Sequence, residues 1–414
     1  MHRIAALLLL TILMTANARA GDVEVLHFLT SAGEASAIQV LKQQLEQQGH
    51  HWKDASVTGG GGDSAMVALQ ARIVAGFPPS AAQLKGPLIQ QWAREGLLTE
   101  LDDVAVAGHW DQRLPEVIRE LVTYQGHYVA VPINIHRVNG LWANPALFRQ
   151  YGLAIPTSWD EFFDVARQLQ EYGITPLAQG GQAWQDGTLF EVMALGIGGA
   201  DFYRRALVEL DPAALSGPTM IKVFETFKRS RDFIDADVLG RDWNIATSMV
   251  VNGQAAMQIM GDWAKGEFTS AGKNPGVDFV CIAAPDTSDG FIYNVDSFAM
   301  FQLSGDSARQ AQADMAKLMM EPAFQQAFNL AKGSIPARQG MDRKPFDSCA
   351  QASMNDFMAA AAMGKLVPSI AHGMAQTPAI RDLIVSSTSR FYHSRTMTAS
   401  QAVAQMAKGI QALR

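Results

Sequence analysis

Asn294 and Asp296 alternate within Tyr293-Asn294-Val295-Asp296-Ser297-Phe298, Lys332 opens the run Lys332-Gly333-Ser334-Ile335-Pro336-Ala337-Arg338, and His372 sits in Ala371-His372-Gly373. Carbonyl, carboxylate, ammonium and imidazole groups together form the donor and acceptor set that a polyhydroxylated ring needs once its water is removed. A hydroxyl donates once and accepts twice, so a pocket reading several hydroxyls must combine acceptor-only carboxylates with donor-only lysines. An unmatched buried hydroxyl costs about 1–3 kcal/mol, which makes such a set selective. Alternate residues of an extended segment share a side, so Asn294 and Asp296 are expected to face one ligand.

Other chemistries find less support. The run Gly59–Gly62 lacks the Lys-Ser or Lys-Thr that completes a phosphate loop and reads as a turn. His50 and His51 are adjacent and would project apart, with no cysteine or acid at metal-ligand spacing. Neither a His-Glu-x-x-His helix nor a Gly-x-Ser-x-Gly elbow occurs, and no metal or cofactor is expected. A secreted glycosidase could pair Glu34 with Asp296. The surrounding lysines would keep both ionised, whereas that reaction needs one carboxyl protonated.

The elements that must carry these residues alternate between extended and helical patterns, which points to an α/β fold. Val23 to Leu29 reads as a strand that turns at Thr30–Gly33 into a helix from Glu34 to Gln48. A second unit follows, with Ala55–Thr58 as strand and Ser64–Ala75 as helix capped by Ser64. Tyr128–Pro132 and Val138–Trp142 are joined by polar residues rather than a helix, which marks a crossing between lobes. The turn formers of Asp286–Gly290 mark a second. Pro156-Thr157-Ser158-Trp159-Asp160-Glu161 opens a helix with a hydroxyl cap and acids in its first turn. Two crossings with sheet-forming segments on both sides imply lobes assembled from discontinuous pieces around a cleft.

Composition is compatible with this picture. The chain has 414 residues, 48% of them hydrophobic, and a net charge of −7 with both signs interspersed. That length supports two lobes, and the absence of a concentrated basic surface argues against nucleic acid. His2 and Arg3 precede the apolar run Ile4–Met14, and Ala18-Arg19-Ala20 offers a cleavage site. Residues 1–20 therefore read as an export signal and the mature chain as periplasmic. Cys281 and Cys349 are the only cysteines. In an exported chain we expect them to form a disulfide, the alternative being two separate buried thiols.

In order and spacing, Leu29–Glu34, Gly180–Gln185, Gly261–Gly266, Tyr293–Asp296 and Lys332–Pro336 resemble the periplasmic sugar-binding proteins of ABC importers. The similarity spans nearly the whole mature chain and is strongest to the glucose-binding branch of the extracellular solute-binding class. It implies a two-lobe periplasmic-binding-protein fold with discontinuous lobes and a hinge. The N-terminal lobe would be 21–131 with 291–336, and the C-terminal lobe 132–290 with 337–414. It implies that Glu34, Lys85, Asn294, Asp296, Lys332 and His372 bond sugar hydroxyls while Trp263 and Trp184 cover the apolar face of the ring. Phe28-Leu29 stand where that branch carries two tryptophans. Phe28 would then supply a reduced stacking platform, and the sugar would be glucose or another aldose monosaccharide. A monomer that delivers this sugar to inner-membrane permease subunits, without catalysis, is the implied function. A sensor presenting its closed form to a signalling receptor would use the same cleft.

Overall fold

In the computed structural model, which describes residues 20–414, the chain forms an α/β protein with three principal sheets. The export signal expected at residues 1–20 lies outside the described residues but for Ala20. The first sheet has the order His51–Ser56, Asp22–His27, Ala81–Leu84, Ser297–Met300, Ala130–Pro132. Its first three strands are parallel, and Ser297–Met300 runs against both of its neighbours. Ala81–Leu84 and Ser297–Met300 are buried at every position, as strands covered on both faces must be.

The edge strand of this sheet is His51–Ser56, not the expected Ala55–Thr58. Lys53, Asp54 and Ser56 are exposed, and a polar edge strand carries no hydrophobic alternation to reveal it. The following helix is Asp63–Val74 and begins from Gly62 in a left-handed conformation (φ 110°) rather than from a Ser64 cap. Other helices lie close to their expected places. Ala32–Gln47 follows the first strand, and Trp159–Glu171 starts on a reciprocal Ser158/Glu161 capping box.

The second sheet has the order Val280–Ala283, Gly140–Ala143, Ala255–Ile259, Thr175–Leu177. The same lobe holds the helix Ala183–Tyr203, which packs against the helices Pro378–His393 and Pro218–Ser230 and is buried continuously from Trp184 to Leu195. A helix buried all round shows no amphipathic stripe, so its length could not be read from periodicity.

Three short strands form the hinge region. Phe291–Asn294 pairs antiparallel with His136–Arg137 and parallel with Leu366–Pro368. The chain therefore crosses between the lobes three times. One hydrophobic core gathers residues from Val23 to Ile135 and from Phe291 to Ala360, together with Met374. The other gathers residues from Val138 to Ala284 and from Val367 to Ile410, together with Ile292 and Cys349.

The helix Ser348–Ala362, which sequence placed with the C-terminal lobe, enters the first core through Ala350, Met354, Phe357 and Ala360. The third crossing, Leu366–Pro368, comes only after that helix. Cys349 of the same helix packs on the second core and is bonded to Cys281, with the Cα atoms 5.9 Å apart. The disulfide thus ties the edge strand Val280–Ala283 of one lobe to a helix seated on the other.

Candidate functional site

A cavity of about 140 Å³ lies between the two lobes. Its walls include Phe28, Glu34, Lys85, Trp184, Trp263, Asn294, Asp296, Lys332 and His372, so all nine residues singled out in the sequence converge on it.

The first strand ends at His27, and Phe28 to Ser31 lead into the N-terminus of helix Ala32–Gln47. Glu34 Oε2 turns back to accept from the Thr30 and Ser31 backbone N–H groups, at 3.2 Å each. Its Oε1 accepts from Lys332 Nζ at 2.9 Å. Burial works against the Glu34 carboxylate, but Lys332 and the two backbone donors outweigh it and hold its pKa below the usual value. Glu34 therefore organises the loop that forms the wall and neutralises a lysine that is 3% exposed.

Asp296 is the electrostatic centre. Its Oδ2 accepts from His136 Nε2 at 3.1 Å and Asn134 Nδ2 at 3.0 Å, while Oδ1 lies 3.6 Å from Lys85 Nζ. Burial opposes its charge, yet Lys85 and His136 hold its pKa well below the usual carboxylate range. His136 also bonds Asp262 through Nδ1. Burial disfavours the imidazolium, and the pair Asp262 and Asp296 overcomes this and raises the pKa. Lys85 is shifted the other way, because burial outweighs Asp296. Lys85 also lies over the Phe28 ring, 4.9 Å from its centroid, so Phe28 supports the ammonium as well as lining the cavity.

The opposite wall is aromatic. Trp263 and Trp184 are tilted at 55° with centroids 6.4 Å apart, and both contact the His372 ring edge to face. The glycine run closes in from the other lobe. A β-carbon on Gly61 would lie 3.2 Å from Trp184, and one on Gly62 would lie 3.0 Å from Phe28. That loop needs glycine both for its positive φ angles and for this approach.

Five buried polar atoms on the cavity wall have no hydrogen-bond partner among the described residues: Ser31 Oγ, Gln83 Nε2, Asn294 Oδ1, Asp296 Oδ1 and His372 Nε2. Buried polar groups are normally paired. Five such atoms around one cavity are therefore unmet hydrogen-bonding capacity.

Sequence reasoning missed several wall residues. His136 follows Asn134 with the two-residue spacing of an extended segment, which was a usable signal. Gln83 precedes Lys85 with the same spacing. Trp243 lines the cavity with Asp242 and Asn244, and Gln182 stands near Trp184. Their segment carries no charge pattern that distinguishes it from an ordinary helix start.

The match to known proteins agrees with this geometry. Residues 30–319 match the family described as bacterial extracellular solute-binding protein. A "Probable sugar-binding periplasmic protein" of Rhizobium meliloti (strain 1021) is 42% identical over 409 residues, covering 99% of this chain and 97% of its own. A protein of the same name from Brucella suis biovar 1 (strain 1330) is 43% identical over 94% of this chain and 92% of its own. Among solved structures, a chitin oligosaccharide binding protein superposes with a TM-score of 0.80 at 20% identity, over 95% of this chain and 98% of that one. The chain belongs to the bacterial extracellular solute-binding protein family and has its two-lobe periplasmic-binding-protein fold.

Proposed function

We propose that the protein captures a single aldopyranose, such as glucose or a close epimer, in the periplasm and delivers it to the permease subunits of an ABC importer. The observation that carries this reading is the set of five polar atoms around the cavity that have no hydrogen-bond partner among the described residues. Three carry open acceptor capacity, one is an amide donor and one is a hydroxyl that can do either, which suits hydroxyl groups better than a charged ligand. Size supports one ring. A cavity of about 140 Å³ is close to the roughly 150 Å³ pocket known to hold benzene. The names of the Rhizobium and Brucella relatives favour a sugar.

Glu34, Lys85, Asn294, Asp296, Lys332 and His372 bond the hydroxyls in this reading, and Trp263, Trp184 and Phe28 cover C–H surface. Trp243 joins them. Hydrolysis is disfavoured because Glu34 and Asp296 are both held ionised, leaving neither to act as the acid.

The test is calorimetric titration of refolded, ligand-free protein with glucose, galactose, mannose, xylose and several disaccharides. Micromolar or tighter binding of one monosaccharide, with disaccharides much weaker, is expected. No heat from any monosaccharide would refute the reading.

A further inference from the structure

Behind the aromatic wall, a carboxylate outside the cavity is linked to His372. Glu191 is completely buried within helix Ala183–Tyr203. Its Oε2 accepts from the Tyr203 hydroxyl at 2.6 Å and from the Ile370 N–H at 2.8 Å. Its Oε1 accepts from the Ser369 hydroxyl at 2.7 Å. Ser369 has then used its only proton. What remains on Ser369 Oγ is lone pairs, and these face the His372 backbone N–H at 3.1 Å and His372 Nδ1 at 2.8 Å.

An oxygen that can only accept requires a proton on the nitrogen opposite it. Nδ1 of His372 must therefore carry N–H. Burial pushes the imidazole pKa down to about 4, so the ring is neutral near pH 7 and holds no second proton. Nε2 is left as a bare lone pair on the cavity wall, and it is one of the five atoms without a partner.

We propose that Glu191 and Ser369 are positioning residues that lock His372 in its Nδ1–H tautomer and make Nε2 an acceptor for one ligand hydroxyl. The ligand half of this inference rests on the sugar-capture reading; the tautomer half does not. The consequence is a specificity rule. At the position facing Nε2 the ligand must offer a hydrogen-bond donor, so hydroxyl is accepted and fluorine, an acceptor of similar size, is rejected.

Glu191→Gln tests the relay because its geometry predicts an inversion rather than a simple loss. Two donors, the Tyr203 hydroxyl and the Ile370 N–H, converge on the Oε2 position and only the Ser369 hydroxyl on Oε1, so the carboxamide oxygen is expected at Oε2 and the amide N–H₂ toward Ser369. Ser369 Oγ then accepts from the amide and its own proton is released toward His372 Nδ1. The imidazole responds by moving its proton to Nε2, which turns the wall acceptor into a donor.

The experiment has two readouts on the full-length mature protein. Nitrogen-15 NMR of the ligand-free protein near pH 7 reports which ring nitrogen of His372 is protonated, with assignment from a His372→Gln spectrum. Nδ1–H in the wild type and Nε2–H in Glu191→Gln are expected. A wild-type ring protonated on Nε2, or on both nitrogens, overturns the proposal, and that result needs neither a ligand nor the Glu191→Gln variant. Titration with the preferred monosaccharide and its monodeoxyfluoro analogues supplies the second readout. The wild type should disfavour one fluoro analogue by at least tenfold, and Glu191→Gln should narrow that ratio to below about threefold. An unchanged ratio in a folded variant overturns the specificity rule. Failure of every sugar to bind, with the expected tautomer present, would instead remove the sugar-capture reading and leave the relay standing.

Discussion

Replacing Asp296 with Asn removes one negative charge from the centre of the cavity while nearly preserving the size of the side chain. Asp296 Oδ2 already receives two donors, from His136 and Asn134, and only Oδ1 is open toward Lys85 and the cavity. A carboxamide has one acceptor oxygen. If that oxygen stays with His136 and Asn134, the amide donors face Lys85 and the ligand; if it turns to the cavity, His136 faces amide hydrogens. Either orientation costs the ligand a charged acceptor, and a hydrogen bond to a charged group is worth about 1.5–3 kcal/mol. Affinity should fall roughly 10- to 150-fold. Fold stability should also fall, though by less than the roughly 3–5 kcal/mol of a fully broken buried pair. His136 keeps Asp262, and Lys85 is already shifted toward its neutral form. The assay is calorimetric titration with the preferred monosaccharide, alongside urea denaturation to establish that the variant is folded. The pH dependence adds a signed check. A carboxylate with a depressed pKa stabilises the fold above its unfolded value of about 3.9, and this is lost as pH falls through the folded value. The stability gap between wild type and Asp296→Asn should therefore narrow below about pH 4. A folded variant that binds within threefold of wild type would refute the assignment of Asp296 as a ligand acceptor.

Three further outcomes rest on the same geometry. His372 has a depressed pKa of about 4 against about 6.5 when unfolded, so wild type loses stability as pH falls between these values. Relative to His372→Gln it should lose on the order of 2–3 kcal/mol between pH 7.5 and 4.5, measured by urea denaturation, and a change below about 1 kcal/mol would contradict a buried neutral ring. Gly62→Ala places a β-carbon 3.0 Å from Phe28 at φ 110°; it should destabilise the fold by more than about 1 kcal/mol and weaken sugar binding, and unchanged denaturation would show that the loop yields. Reducing Cys281–Cys349, a link across 68 positions, should cost on the order of 4 kcal/mol by the chain-entropy argument, and denaturation with and without reductant that agrees within 1 kcal/mol would refute that contribution.

Much of this site was legible because its chemistry sits at turns. Glu34, Lys85, Asn294, Asp296 and Lys332 are charged or amide residues placed where strands or helices end, in segments otherwise apolar, and that contrast is visible in one dimension. The residues that escaped notice act through three-dimensional partners. His136 looks unremarkable until Asp262 and Asp296 are found on its two ring nitrogens. Glu191 lies in a helix buried on all sides, where no amphipathic stripe separates it from its apolar neighbours. The edge strand His51–Ser56 was displaced because its pattern is polar, and the helix Ser348–Ala362 was assigned to the wrong core because lobe membership depends on where the third crossing falls. The glycine run read as a turn, and its fit against Trp184 depends on a lobe that sequence cannot bring near.

The contacts between the lobes explain why a ligand should govern closure. They are built largely on backbone. A β-carbon on Gly33 would lie 2.7 Å from Gly266, and one on Gly86 would lie 2.7 Å from the Gly373 carbonyl. Glycine-to-backbone contact buries little apolar surface, so it contributes little hydrophobic stabilisation. Apart from the Cys281–Cys349 bond and the Lys265–Asp347 ion pair at 3.1 Å beside it, which tie the lobes at one edge, the polar ties are few. Glu267 accepts from the Gly33 N–H at 2.9 Å, and Arg381 reaches an exposed Asp63 at 2.8 Å, an exposed pair of a kind worth about 0–1 kcal/mol. Against these stand five cavity atoms without a hydrogen-bond partner among the described residues, each costing about 1–3 kcal/mol if neither water nor ligand meets it. Ring hydroxyls that pair those atoms remove this cost only in the closed state, where both lobes reach them together. Differential affinity of that kind is what shifts a hinge equilibrium, and the glycines allow the lobes close enough for it to operate.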